Sequence, residues 1–118
     1  RIGPAEIESS LTSDEAVLES AAIGVPDEIK GEAIVCFVVL KPNFKPDEEI
    51  KQRLISLVEA KLGKTARPKE VIFVKDLPKT RNAKVMRRLI RNKYLGKPIG
   101  DTSTLENPEA IEAIPTIR

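Results

Sequence analysis

Apolar residues recur at helical spacing in three stretches of this chain and form strand-like runs in three others. The clearest stretch holds Ile50, Leu54, Leu57, Val58 and Leu62, which share one face of a helix. Pro46-Asp47-Glu48-Glu49 opens it, with proline where a missing N–H costs nothing and acids at the positive end of the dipole. Gly63 supplies a C-cap, and Lys61 and Lys64 flank the negative end. A shorter helix starts at Gly3-Pro4, buries Ile7 and Leu11 as i,i+4 partners, and breaks at Thr12-Ser13-Asp14. A third is predicted from about Lys84 to Tyr94, with Val85, Met86, Leu89 and Ile90 inward and Arg87, Arg88 and Arg91 outward.

Ala21, Ala22, Ile23 and Val25 form a short predicted strand that Pro26-Asp27 ends. Glu32 to Leu40 is nearly continuous in apolar residues, as expected of a strand covered on both faces. The short loop between them, closed by Gly31, favours an antiparallel pair. Val71 to Val74 is a third buried strand, followed by a polar loop to Ala83. The expected fold is therefore a small α+β domain: a three-stranded, partly antiparallel sheet flanked by helices. Residues 1–95 make up this domain, and residues 96–118 read as a polar C-terminal tail packed on it or trailing it. Leu105, Ile111 and Ile114 are the tail's candidate anchors.

Composition removes whole classes of chemistry. With no His among 118 residues, a Ser-His-Asp triad and any His-ligated zinc site are excluded. The single Cys36 excludes an internal disulfide and reads as a small buried hydrophobe in the central strand. No apolar run approaches the ~20 residues that span a bilayer. A soluble cytoplasmic protein without a membrane partner is expected. The chain opens on Arg1, already at the edge of a helix, which predicts a piece of a longer protein; a chain lacking only its first Met is the alternative.

Charge is distributed unevenly. Residues 79–93 hold seven basic residues and no acid; taking those seven from the 20 basic residues leaves 13 against 18 acidic, a net of −5. Such a patch suits phosphate, carboxylate or nucleic acid. On the residues alone, Asn82 is an N-cap candidate and Lys84 falls in the first helical turn, where free N–H groups favour an anion. The same lysine also reads as one solvated charge in a basic face. A small basic nucleic-acid-binding module is the alternative function, with Arg87, Arg88 and Arg91 on phosphates. The 3% aromatic content supplies base stacking poorly, so nucleic acid is not the expected partner.

The string LPKTRNAKVMRRLIR, residues 77–91, resembles the last core motif of the adenylate-forming enzymes, the superfamily of acyl-CoA synthetases, peptide-synthetase adenylation domains and luciferase. That motif usually reads Leu-Pro-Lys-Thr-Arg-Ser-Gly-Lys, then a hydrophobic residue and Met-Arg-Arg. RIGPAEIE, residues 1–8, is similar to another core motif, and AAIGVPDEIKGE, residues 21–32, to the superfamily's usual strand and loop. The tail GDTSTLENPEAIEAI, residues 100–114, is similar to the terminus of acetyl-CoA synthetases and their propionyl relatives.

The resemblance implies the small C-terminal domain of an AMP-forming acyl-CoA synthetase, an acid–thiol ligase of the acetate–CoA type that is inactive without its large N-terminal domain. In that family an acid such as acetate reacts with ATP to give acyl-adenylate and pyrophosphate. The small domain then rotates, and CoA displaces AMP. ATP, CoA and Mg²⁺ are the implied cofactors, bound mostly by the large domain. Lys84 matches the motif's last lysine, the catalytic lysine of adenylation, and Arg1 matches an arginine that contacts the nucleotide phosphates. Lysines at the position of Lys84 are also acetylated in the family, which implies a protein acetyltransferase and a deacetylase as partners. Thr12, Asp14 and Val17 match a magnesium site in acetyl-CoA synthetases, with backbone carbonyls contributing; a solvated turn with Asp14 as a cap is the other reading. Two departures stand out. Asn82-Ala83 replaces Ser-Gly, which stiffens the loop. Glu59-Ala60 stands where some relatives carry a CoA-binding Arg, so the CoA contacts are unassigned, with Lys61, Lys64 and Arg67 as substitutes.

Overall fold

The computed structural model describes residues 2–117. Helix α1 (Pro4–Thr12) leads into strand β1 (Val17–Asp27), which turns back as β2 (Gly31–Leu40). Helix α2 (Glu48–Leu62) and a short 3₁₀ turn cross over to β3 (Glu70–Phe73). Helix α3 (Arg87–Tyr94) and a 3₁₀ segment at Pro108–Ala113 complete the chain. The sheet runs β1-β2-β3; β1 is antiparallel to β2, and β3 is parallel to it. This is the α+β domain with a mixed three-stranded sheet that the hydrophobic pattern predicts.

Central strand β2 explains the layering. Cys36 and Val38 face α1 and α2, where Ile7, Leu11, Leu54 and Val58 pack. Val35, Phe37 and Val39 face the opposite layer of Leu77, Ile90, Tyr94 and Ile114. Successive side chains of a strand alternate between faces, so a strand buried on both must be apolar throughout. Cys36 is fully buried, and desolvation pushes its thiol up to about 12, as befits a packing residue.

Helix α2 follows its local signals. The Asp47 carboxylate accepts the Ile50 N–H at 2.9 Å, and Gly63 closes the helix at φ +96°. Strand β1 is longer than predicted, because Val17, Glu19 and Ser20 also pair with β2, with a register irregularity at Leu18. Pro26 lies within β1, not after it. That position is tolerated because β1 is an edge strand: among the described residues no further strand lies on its outer side to require the missing N–H. Three residues, Glu28 to Lys30, then join the strands, and Gly31 takes the left-handed conformation, φ +83°.

The third helix begins later than its apolar spacing suggests. Val85 is paired with Lys79 in an isolated bridge, and the Met86 N–H donates to the Pro78 carbonyl at 3.0 Å. Those bonds hold Val85 and Met86 outside the helix, which starts at Arg87. The N-cap position is therefore Met86, not Asn82. Among the described residues no helix is long and apolar enough to cross a membrane.

Candidate functional site

Residues 79–85 form a tight hairpin. The Thr80 N–H donates to the Lys84 carbonyl at 3.0 Å, and the Ala83 N–H to the Thr80 carbonyl at 2.9 Å. The Lys84 N–H leans on Thr80 Oγ1 at 3.3 Å. Lys84 thus sits at the exit of a turn, not in the first turn of a helix, so helical N–H groups do not assist it. Its side chain is exposed, and among the described residues no acid pairs with its ammonium. Ala83, in the place where the superfamily motif usually has Gly, is held at φ +63°. That region costs an L-residue roughly 1–2 kcal/mol. Ala83→Gly removes this cost and adds roughly 0.5–1 kcal/mol of chain entropy. The variant is expected to raise the melting temperature by roughly 2–5 °C; a fall would show that Ala83 is not strained.

The base of the hairpin is fastened on two sides. Lys79 Nζ lies 2.7 Å from Glu19 of β1 and 3.0 Å from Asp76. Burial works against charge here, yet these bonds raise the pKa of Lys79. Asp76 is lowered: burial opposes its ionisation, but the Asn107 amide and the Lys79 ammonium outweigh it. On the other side, Thr80 bridges to Leu105 and the Glu106 N–H donates to the Lys79 carbonyl at 2.9 Å. Leu105, Ile111 and Ile114 of the tail are all buried. Glu19, Asp76 and Asn107 carry no signature in the sequence, because they meet only through the fold.

The basic face is less open than its charges suggest. Arg87 makes a bidentate pair with Glu8 of α1, at 2.7 and 2.6 Å, which raises its pKa. Arg91 Nε donates to the Gly24 carbonyl at 2.8 Å, and Lys93 Nζ to that of Ile114 at 2.6 Å. Arg87 and Arg91 therefore tie α3 to α1 and β1, correcting the expectation that both face outward; Arg88 is exposed. The described structure does not favour a phosphate-tracking helix face.

Thr12 ends α1, Asp14 lies in the following turn and Val17 opens β1. The Asp14 carboxylate is taken by Arg53 of α2, at 3.0 and 2.8 Å, and accepts the Ala16 N–H. Burial opposes its ionisation, but the guanidinium and the N–H hold its pKa below the usual carboxylate value. The Thr12 hydroxyl donates to the Glu8 and Ser9 carbonyls. A guanidinium on the only carboxylate of the three does not fit a dication bound through side chains. Among the described residues no cluster of three or more acidic, Cys or His side chains could hold a metal. Arg1 lies outside the described residues. No hydrogen bond or ion pair among them joins Lys84 to Thr12, Asp14 or Val17.

A cleft of about 720 Å³ opens beside α1, with Ile7, Ile34 and Ala66 on its wall and Lys30 and Arg67 among its polar residues. Arg67 lies against Glu59, its Nη1 2.6 Å from the carboxylate.

The described residues thus form a three-layer α+β domain with Lys84 exposed on a hairpin whose base is fastened on two sides. Residues 6–84 match the model of the AMP-binding enzyme C-terminal domain, and the chain belongs to that family. Acetyl-coenzyme A synthetase of Methanothrix thermoacetophila is 52% identical over 117 residues, covering 99% of this chain and 18% of that protein. The 3-hydroxypropionyl-coenzyme A synthetase of Sulfurisphaera tokodaii is 45% identical, covering 97% of this chain and 17% of that protein. Among solved structures, an acyl-CoA synthetase of Brucella canis superposes with a TM-score of 0.75 at 40% identity, over 78% of this chain and 17% of that one. The chain thus spans under one fifth of the length of the curated relatives it matches.

Proposed function

We propose that the chain is the mobile C-terminal domain of an AMP-forming acyl-CoA synthetase working in the cytoplasm on acetate or a similar short-chain acid. In this reading residues 1–95 move as a unit against a large N-terminal domain, and residues 96–118 travel with them. The carrying observation is Lys84 itself: an exposed ammonium without an acid partner, at the exit of a hairpin whose base is braced. Lys84 enters the large domain's pocket and bridges the acid's carboxylate and the α-phosphate of ATP. A fixed cation there aligns nucleophile and electrophile and offsets the charge of the transition state. Arg1 contacts the nucleotide phosphates. After rotation, CoA displaces AMP; Arg67, with Lys61 and Lys64 near the end of α2, offers cations for its phosphates. Magnesium arrives with the nucleotide, and a cation at Thr12, Asp14 and Val17 would depend on backbone carbonyls, since Arg53 holds the carboxylate.

Lys84 is also the proposed site of reversible acetylation by a protein acetyltransferase and a deacetylase. Acetylation removes the charge and leaves the backbone bonds of the hairpin in place. Installing acetyl-lysine at position 84 of the whole synthetase is expected to abolish adenylation with no change in melting temperature. Retained adenylation would overturn both the regulatory and the catalytic assignment.

A further inference from the structure

The tail meets the Lys84 hairpin through one side chain that makes three bonds. Asn107 Oδ1 accepts the Lys79 N–H at 2.8 Å, while its Nδ2 donates to Asp76 Oδ2 and to the Leu77 carbonyl, each at 2.8 Å. A primary amide suits this task, because it carries an acceptor and two donors on one planar head. A carboxylate in its place has no donor and would face Asp76 with like charge. The Asp76 carboxylate in turn accepts the Lys79 ammonium and the Leu77 N–H. Lys79 and Thr80 are therefore held from the tail side by Leu105, Glu106 and Asn107, and from the hairpin side by Lys84 and Val85. The tail residues are themselves seated, with Ile114 fully buried.

None of these contacts involves the Lys84 side chain. They fix the rail from which it projects. We infer that Asn107 is a positioning residue for adenylation, setting the direction and reach of the Lys84 ammonium by bracing the hairpin base. The inference rests on the reading of Lys84 given above. A loose base would let the ammonium sample positions away from the reacting oxygens, and small misplacements of a catalytic group are costly.

The test is a double-mutant cycle of Asn107→Ala and Lys84→Ala in the whole synthetase. Acid-dependent ATP–pyrophosphate exchange reports adenylation, and thioester formation from supplied acyl-adenylate reports the second step. Asn107→Ala is expected to lower exchange on the order of 10- to 100-fold. Thioester formation should stay within about twofold of the parent, a split that loss of folded protein would not give. In the Lys84→Ala background the Asn107 change should cause no further loss, since it acts through that lysine. Asn107→Asp, which keeps the acceptor and loses both donors, should act in the same direction. Additive losses, or a parallel fall of both half-reactions in both Asn107 variants, would overturn the positioning role. Silent Asn107 variants beside a crippled Lys84→Ala would remove this inference alone. An active Lys84→Ala would remove the reading of Lys84 and this inference with it.

Discussion

Lys84→Ala in the whole synthetase is expected to lower acid-dependent ATP–pyrophosphate exchange on the order of 10²–10³-fold, the usual loss when one preorganised charge-stabilising group is removed. The apparent affinity for the acid should change far less, because in the proposed role the ammonium acts mainly on charge that develops in the transition state. Stability should not change. The side chain is exposed, and the bonds Lys84 makes within the hairpin are those of its backbone. Lys84→Arg keeps the charge but replaces a compact ammonium by a planar fork, and should recover only part of the rate. Exchange that stays within about threefold of the parent in the alanine variant would place the catalytic cation elsewhere.

Phe37→Ala is expected to destabilise the chain by about 3–5 kcal/mol. Phe37 is fully buried in the central strand and meets the Tyr94 ring edge-on, centroids 5.5 Å apart. Ile90, Leu77 and Ile114 belong to the same cluster, so the cavity opens between the sheet and the layer that carries α3 and the tail. A domain of this size is held by about 5–15 kcal/mol in total, so the loss is a large share. Urea unfolding should show a lower midpoint with an unchanged slope. A loss below about 1 kcal/mol would mean that the site relaxes around the deletion and that this layer is loosely packed.

The elements most legible in the sequence were those whose causes are local. Helix α2 has its cap, its apolar stripe and its terminal glycine within one continuous stretch. Strand β2 announces its double burial by having few polar residues. Helix α3 misled because Val85 and Met86 sit at helical spacing from Leu89 and Ile90, while the hydrogen bonds that exclude them come from Lys79 and Pro78. The same limit hid the first residues of β1, where Glu19 and Ser20 interrupt the apolar pattern yet pair with β2. Arg87 looked solvated because its carboxylate partner lies 79 residues away in Glu8. In the candidate site, the motif singles out Lys84 as the candidate, and the Asn82-Ala83 departure, which the sequence reads as a stiffer loop, falls where Ala83 takes a positive φ. The bracing by Glu19, Asp76 and Asn107 was not legible, since no periodicity or spacing brings such distant residues together.

The most direct measurement is thioester formation by Lys84→Ala synthetase given preformed acyl-adenylate and CoA, set beside its exchange activity. If Lys84 serves adenylation in one domain orientation and stands clear in the other, the thioester step should run within about threefold of the parent while exchange is crippled. Equal loss of the two half-reactions would contradict that division of labour and leave Lys84 as a general requirement of the enzyme.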